Sequence, residues 1–136
     1  MKTVSRWTIY TCVSEEEGYS IEIENHGEFV HAIVGGLKAT PQIALNYWND
    51  IIDECQLLGC RKILLEHNFV EMIEMAEMLT IIGPVGHLLE GRIMAFYDRQ
   101  GHYDIPEAGK RILRSNDVKM QIFHDLKEAE RWLIAN

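Results

Sequence analysis

The hydrophobic period changes at Gly35-Gly36, and that change constrains the fold more than any other feature of the sequence. Before it, Trp7, Ile9, Thr11 and Val13 alternate with Thr8, Tyr10 and Cys12, the period-two signature of a strand. After the charged turn Glu15-Glu16-Glu17-Gly18, Tyr19, Ile21 and Ile23 alternate in the same way with Ser20, Glu22 and Glu24. Asn25-His26-Gly27 offers residues that tolerate positive φ, so a hairpin leads into a third strand over Phe29–Val34. Three antiparallel strands therefore open the chain.

Beyond Gly36 the apolar residues fall at helical spacing. Thr40 can cap a helix with Pro41 at its first position, where a missing N–H costs nothing. Ala44, Trp48, Ile51, Ile52, Cys55 and Leu58 share one face, and Gly59 is a fitting stop. Lys62-Ile63-Leu64-Leu65-Glu66 reads as a strand buried on both faces. A second helix is expected from about Glu71 to Ile82, broken at Gly83-Pro84, with a further turn over Val85–Leu89. Arg92–Tyr97 is another buried strand, and a short helix starts at Asp104-Ile105-Pro106-Glu107 and runs through Leu113. Val118, Met120 and Ile122 suit an edge strand. Asp125 and Glu128 then stand at capping-box spacing before a helix with the stripe Leu126, Ala129, Trp132 and Leu133. Strands alternating with helices imply right-handed crossovers and parallel pairing. The expected class is α/β: a single domain over residues 1–136, a mixed sheet with an N-terminal antiparallel meander followed by parallel βα units, and helices packed on it.

Thirteen Lys+Arg against twenty-one Asp+Glu give a formal net charge of −8, which disfavours nucleic acid or an anionic membrane as partner. The stretch Met72 to Leu89 is too often interrupted by polar residues, Gly and Pro to span a bilayer. The N-terminal residues alternate rather than forming an apolar block, so no secretory signal is expected. Three cysteines, Cys12, Cys55 and Cys60, are odd in number and form no CxxC pair, which fits reduced thiols and a cytoplasmic location.

Three stretches carry a family likeness: Ala32-Ile33-Val34-Gly35-Gly36-Leu37, Gly59-Cys60-Arg61-Lys62-Ile63-Leu64-Leu65-Glu66, and Phe123-His124-Asp125-Leu126-Lys127-Glu128-Ala129-Glu130-Arg131-Trp132-Leu133. With the order of elements, they make the chain resemble the STAS family, the anti-sigma-factor antagonist fold. It is most similar to the SpoIIAA-like branch, which is related to the CRAL-TRIO lipid-transfer domains. The resemblance implies this fold and a binding role. It also implies a phosphorylatable Ser or Thr just after the central buried strand. The sequence there reads Glu66-His67-Asn68-Phe69-Val70-Glu71-Met72, with no hydroxyl before Thr80, so the phospho-switch of such proteins is not expected.

Six histidines, His26, His31, His67, His87, His102 and His124, lack HExxH or i,i+4 spacing and have no cysteine in a ligand pattern. Scattered histidines are the plainer reading, and neither a metal nor another cofactor is expected. His67, Asp98, His124 and Asp125 fall at the C-terminal ends of strands, where they form a candidate cluster. Cys55 belongs to an apolar helix face, and Cys60, beside Arg61 and Lys62, has no assignable base. There is no GxSxG elbow and no phosphate loop, so no catalytic residue is assigned.

The second helix carries the most information. Met72, Met75, Ala76, Leu79 and Ile82 make the face expected to pack on the sheet, while Ile73, Met78 and Ile81 extend apolar character beyond it. That excess calls for a cover, whether the chain itself, a partner, a second copy or an apolar ligand. The first functional reading is a non-enzymatic regulatory domain that docks a protein partner, or a second copy, through Asn68, Phe69, Met72, Ile73, Met75, Met78, Leu79 and Ile82. The second is a carrier or sensor of an apolar small molecule or lipid, with a pocket lined by Met75, Met78, Leu79, Ile82 and Phe96. An enzyme using His67 or His124 is a third.

Overall fold

A computed structural model describes residues 8–14, 18–71, 73–102, 105 and 107–136, with the backbone alone for 8–14. Six strands, β1 (Thr8–Ser14), β2 (Tyr19–Asn25), β3 (Val30–Lys38), β4 (Lys62–Glu71), β5 (Ile93–Asp98) and β6 (Lys119–Phe123), form one sheet in sequence order. β1–β2 and β2–β3 are antiparallel, and β3–β4, β4–β5 and β5–β6 are parallel. Four helices, α1 (Pro41–Leu58), α2 (Met75–Leu88), α3 (Glu107–Ser115) and α4 (Leu126–Ala135), complete the fold. The expected α/β class and mixed sheet are present.

The strand order decides where the helices go. Each right-handed crossover that steps the same way across a sheet leaves its helix on the same face. The steps β3 to β4, β4 to β5 and β5 to β6 all run in one direction, so α1, α2 and α3 share a face and pack against one another in turn. Only α4 is left for the other face, where it packs on β4, β5 and β6. The first face holds the larger core, with Ile21, Val34, Ile51, Leu65 and Phe69 among its fully buried side chains. The second holds Leu64, Ala95, Phe123, Ala129 and Leu133.

Local chemistry sets most of the boundaries. Thr40 Oγ1 accepts from Ile43 N at 3.3 Å, Pro41 opens α1, and Gly59 closes it in the left-handed region at φ 66°. Asp125 caps α4 by accepting from Lys127 N at 2.8 Å, and β6 is the edge strand as expected.

Three expectations on element bounds are corrected. Gly35-Gly36 does not end β3, which continues to Lys38. A Cβ on Gly35 would lie 2.9 Å from the Asn68 carbonyl oxygen, and one on Gly36 would lie 2.7 Å from that of Gly18. The glycines are there for close strand approach, not for a turn. β4 does not stop at Glu66 but runs on through Glu71, so Glu71 is strand rather than the start of a helix. Finally, Gly83-Pro84 does not break α2, which continues to Leu88. An interior proline removes one helical hydrogen bond and costs roughly 3 kcal/mol. Burial of Ile81, Ile82 and Val85 on either side of it, with Leu89 just beyond, offsets that cost. Trp7, Glu15 to Glu17, Asp104 and Pro106, which entered the expected elements, lie outside the described residues.

Candidate functional site

The later start and greater length of α2 rotate its buried face. Ile81, Ile82, Val85 and Leu89 turn inward, an i, i+1, i+4, i+8 set, whereas Met75 and Leu79 are 54% and 44% exposed. Between this inward face, α1 and the sheet lies a cavity of about 110 Å³. Ala44, Tyr47 and Trp48 of α1 form one wall and Met78, Ile82 and Val85 of α2 another, with Leu65, Met94 and Phe96 of β4 and β5 as the floor.

Three polar side chains interrupt the apolar lining: His67, Asp98 and His102, whose Nε2 lies 3.3 Å from the Val70 carbonyl oxygen. His67, inside β4, and Asp98, the last residue of β5, are register partners on neighbouring parallel strands, and both line the cavity. His67 Nδ1 lies 3.1 Å from Asp98 Oδ2, and both side chains are buried. A carboxylate only accepts, so His67 donates through Nδ1, and its Nε2 is the ring's remaining polar atom. Asp98 is fixed in turn, because its Oδ1 accepts from Gln100 N at 2.8 Å. The His67 ring is held among Tyr47, Phe69 and Phe96, at centroid distances of 6.5, 4.8 and 5.8 Å. Burial, and then the negative charge of Asp98, push the Tyr47 hydroxyl well above its ordinary value, so the phenol is neutral.

Of the candidate strand-end cluster, the structure thus brings His67 and Asp98 together. His124 and Asp125 follow β6, are exposed and are not part of the cavity wall; Asp125 is the cap of α4. Among the residues expected at a docking surface, Phe69 is wholly buried in the core. Asn68 is half-buried on β4 and accepts from Gln100 Nε2 at 2.9 Å. Ile73, Met78 and Ile82 line the cavity, and Met72 lies outside the described residues. Of the five side chains expected to line an apolar pocket, Met78, Ile82 and Phe96 do so; Met75 and Leu79 face away as a consequence of the rotated helix.

Among the described residues that line the cavity there is no Ser, Thr or Cys for His67 to activate as a nucleophile. Cys55 is packed as expected, and burial pushes its thiol up to about 12. Cys60 is half-buried, with Sγ 3.4 Å from the Lys62 carbonyl oxygen.

A second constellation lies on the opposite face of the sheet, where spacing along the sequence gave no sign of it. The β2–β3 hairpin pairs Glu24 with His31 directly and leaves His26 in the turn between them. Glu24 Oε1 lies 3.0 Å from His26 Nε2 and 3.2 Å from His31 Nδ1. The other nitrogen of His31, Nε2, is 2.8 Å from Oε1 of Glu66, whose Oε2 accepts from Arg99 Nε at 2.6 Å. Burial raises the Glu24 carboxyl, but the hydrogen bond from His26 and the charge of His31 outweigh it and hold it below the ordinary value.

No protein-family model matches the chain, and no curated protein matches it in sequence. No helix among the described residues is long and apolar enough to cross a membrane.

Proposed function

We propose that the chain is a non-enzymatic, SpoIIAA-like binding domain that holds a small apolar molecule between α1, α2 and the β4–β5 floor. The observation that carries this reading is the largely apolar cavity with an oriented polar pair, His67–Asp98, in its wall. Small-molecule sites have this composition, a largely apolar lining with a few fixed polar groups that set orientation. The likeness to CRAL-TRIO lipid-transfer domains points the same way. A cavity of about 110 Å³ is on the scale of the roughly 150 Å³ engineered cavity that takes benzene, so the ligand is a ring or a short branched chain. His67 Nε2 would accept from a hydroxyl on such a ligand.

Toluene is a direct probe. It is expected to raise the unfolding temperature of the chain, and Ala44→Leu, which adds three carbons to the cavity wall, is expected to abolish that shift. Native mass spectrometry of protein taken from cells is expected to show a co-purifying small molecule. Bare protein together with no toluene shift would overturn the reading.

A second reading, a domain that docks a protein partner or a second copy, keeps support from one observation. Met75 and Leu79 stand one turn apart on α2, and both are exposed. Leu79→Glu is expected to change stability by no more than about 0.5 kcal/mol, as surface substitutions do, while weakening any self-association seen by analytical ultracentrifugation. A large loss of stability would place Leu79 in the core and remove this surface.

A further inference from the structure

The geometry points to a binding site for a single zinc-class divalent ion at Glu24, His26 and His31, a site independent of the cavity on the other face of the sheet. Each of the three residues offers one ligand atom, and these atoms lie within 4.8 Å of one another; Glu24 Oε1 faces both His26 Nε2 and His31 Nδ1. A tetrahedral ion with metal–ligand distances of about 2.0–2.1 Å has ligands about 3.3 Å apart. The two Glu24 separations, 3.0 and 3.2 Å, are already close to that edge length, so closing the set around an ion needs only a small movement of His26 toward His31.

The surroundings of His31 are those of a metal ligand. It is buried, and each ring nitrogen faces a carboxylate oxygen, Nδ1 that of Glu24 and Nε2 that of Glu66. With Nε2–H donating to Glu66, the Nδ1 lone pair is directed to the side of Glu24, and a cation there takes the place of a second ring proton. A ligating histidine ordinarily gives its other N–H to a carboxylate or carbonyl, which fixes the tautomer and raises the basicity of the bound nitrogen. Glu66 is only 2% exposed, and its second oxygen is held by Arg99, so this outer partner is itself fixed. His26 is held by stacking on Phe29, with centroids 4.8 Å apart and planes within 6°.

The donor set selects the ion. Two imidazoles and one carboxylate suit zinc and its borderline neighbours, whereas calcium and magnesium demand oxygen ligands. Three protein ligands leave the fourth tetrahedral position to water or to an exchangeable ligand, with Glu22 next to Glu24 on the same strand face.

The test is calorimetric titration of the chelator-stripped, full-length chain with zinc, followed by cobalt in its place. One ion per chain, with release of protons on binding, is expected, and cobalt should give the intense visible absorption of a four-coordinate site. His26→Gln and Glu24→Gln, both partly exposed, should each weaken binding at least about 100-fold, and Glu66→Gln about 10–100-fold. His87→Gln, on an exposed histidine outside the cluster, should leave the affinity unchanged. Far-UV circular dichroism establishes that each variant is folded. No stoichiometric zinc on the unaltered chain, or unaltered affinity in both His26→Gln and Glu24→Gln, overturns the assignment.

Discussion

Phe69→Ala is expected to lower the free energy of unfolding by about 3–5 kcal/mol, the usual cost of emptying a buried aromatic position. The ring is wholly buried on β4, lies 6.1 Å from Tyr47 in stacked orientation, and is 4.8 Å from His67. Gly36 on the neighbouring strand makes room for it: a Cβ there would come within 3.2 Å of Phe69 Cε1. The neighbours cannot close the gap cheaply, because β3 and β4 are hydrogen-bonded in register across Gly36 and Phe69. Since Phe69 also steadies the His67 ring, the toluene shift should shrink in the same variant. Urea unfolding measures the first effect. A change below about 1 kcal/mol with altered self-association would return Phe69 to a docking surface and remove it from the core.

How far the sequence could be read depends on whether the informative pattern was local. The period-two runs around Ile9 and Ile21, the Thr40-Pro41 start, the Gly59 stop and the Asp125 cap are all set by residues within a few positions of one another. The elements they predict are present. The helix α2 failed the same treatment for two reasons. Residues 68–71 continue a strand because β3 pairs alongside β4 as far as Glu71, a tertiary fact, and the burial of Val85 and Leu89 outweighs the proline at 84. With the start moved to Met75, Met78 exchanged places with Leu79 relative to the core.

The two polar sites show the same division. His67 and Asp98 could be suspected because each follows the apolar run of its strand; Asp98 does end β5, β4 continues past His67 to Glu71, and the parallel register makes the two partners. Glu24, His26 and His31 have no recognisable ligand spacing. Only the hairpin register, with Glu24 opposite His31, brings the three together, and Glu66 joins them from a strand thirty-five residues beyond His31.

Glu66→Ala is the second large effect, about 3–5 kcal/mol at neutral pH, because removing one partner of a buried ion pair strands the other. His31 would keep a buried ring nitrogen without its 2.8 Å acceptor, while Arg99, which is exposed, can return to water. The loss should therefore fall toward the lower end of that range. Its pH dependence follows from the direction of the carboxyl shift. The hydrogen bond from His31 lowers the Glu66 carboxyl, burial pulls it back up, and the positive charges of His31 and Arg99 leave it below the ordinary value of 4.5. A carboxyl whose folded value is depressed contributes its stability above the unfolded value. That contribution disappears as pH falls through the folded one. Glu22 runs the other way: burial, and then the hydrogen bond and charge of Glu24, raise its carboxyl, so its protonation on acidification restores a little stability. The unaltered chain alone therefore mixes both signs, and the difference between it and Glu66→Ala cancels the larger causes of the Glu22 shift, burial and Glu24, leaving Glu66 and its smaller effect on Glu22. Urea unfolding of the two chains from about pH 7 down to about pH 3 should show a constant gap above 4.5 that narrows steadily below it. A gap that stays constant to the acid end would mean that the Glu66 carboxylate does not titrate with folding, and that its role is the packing of β4 against His31 alone.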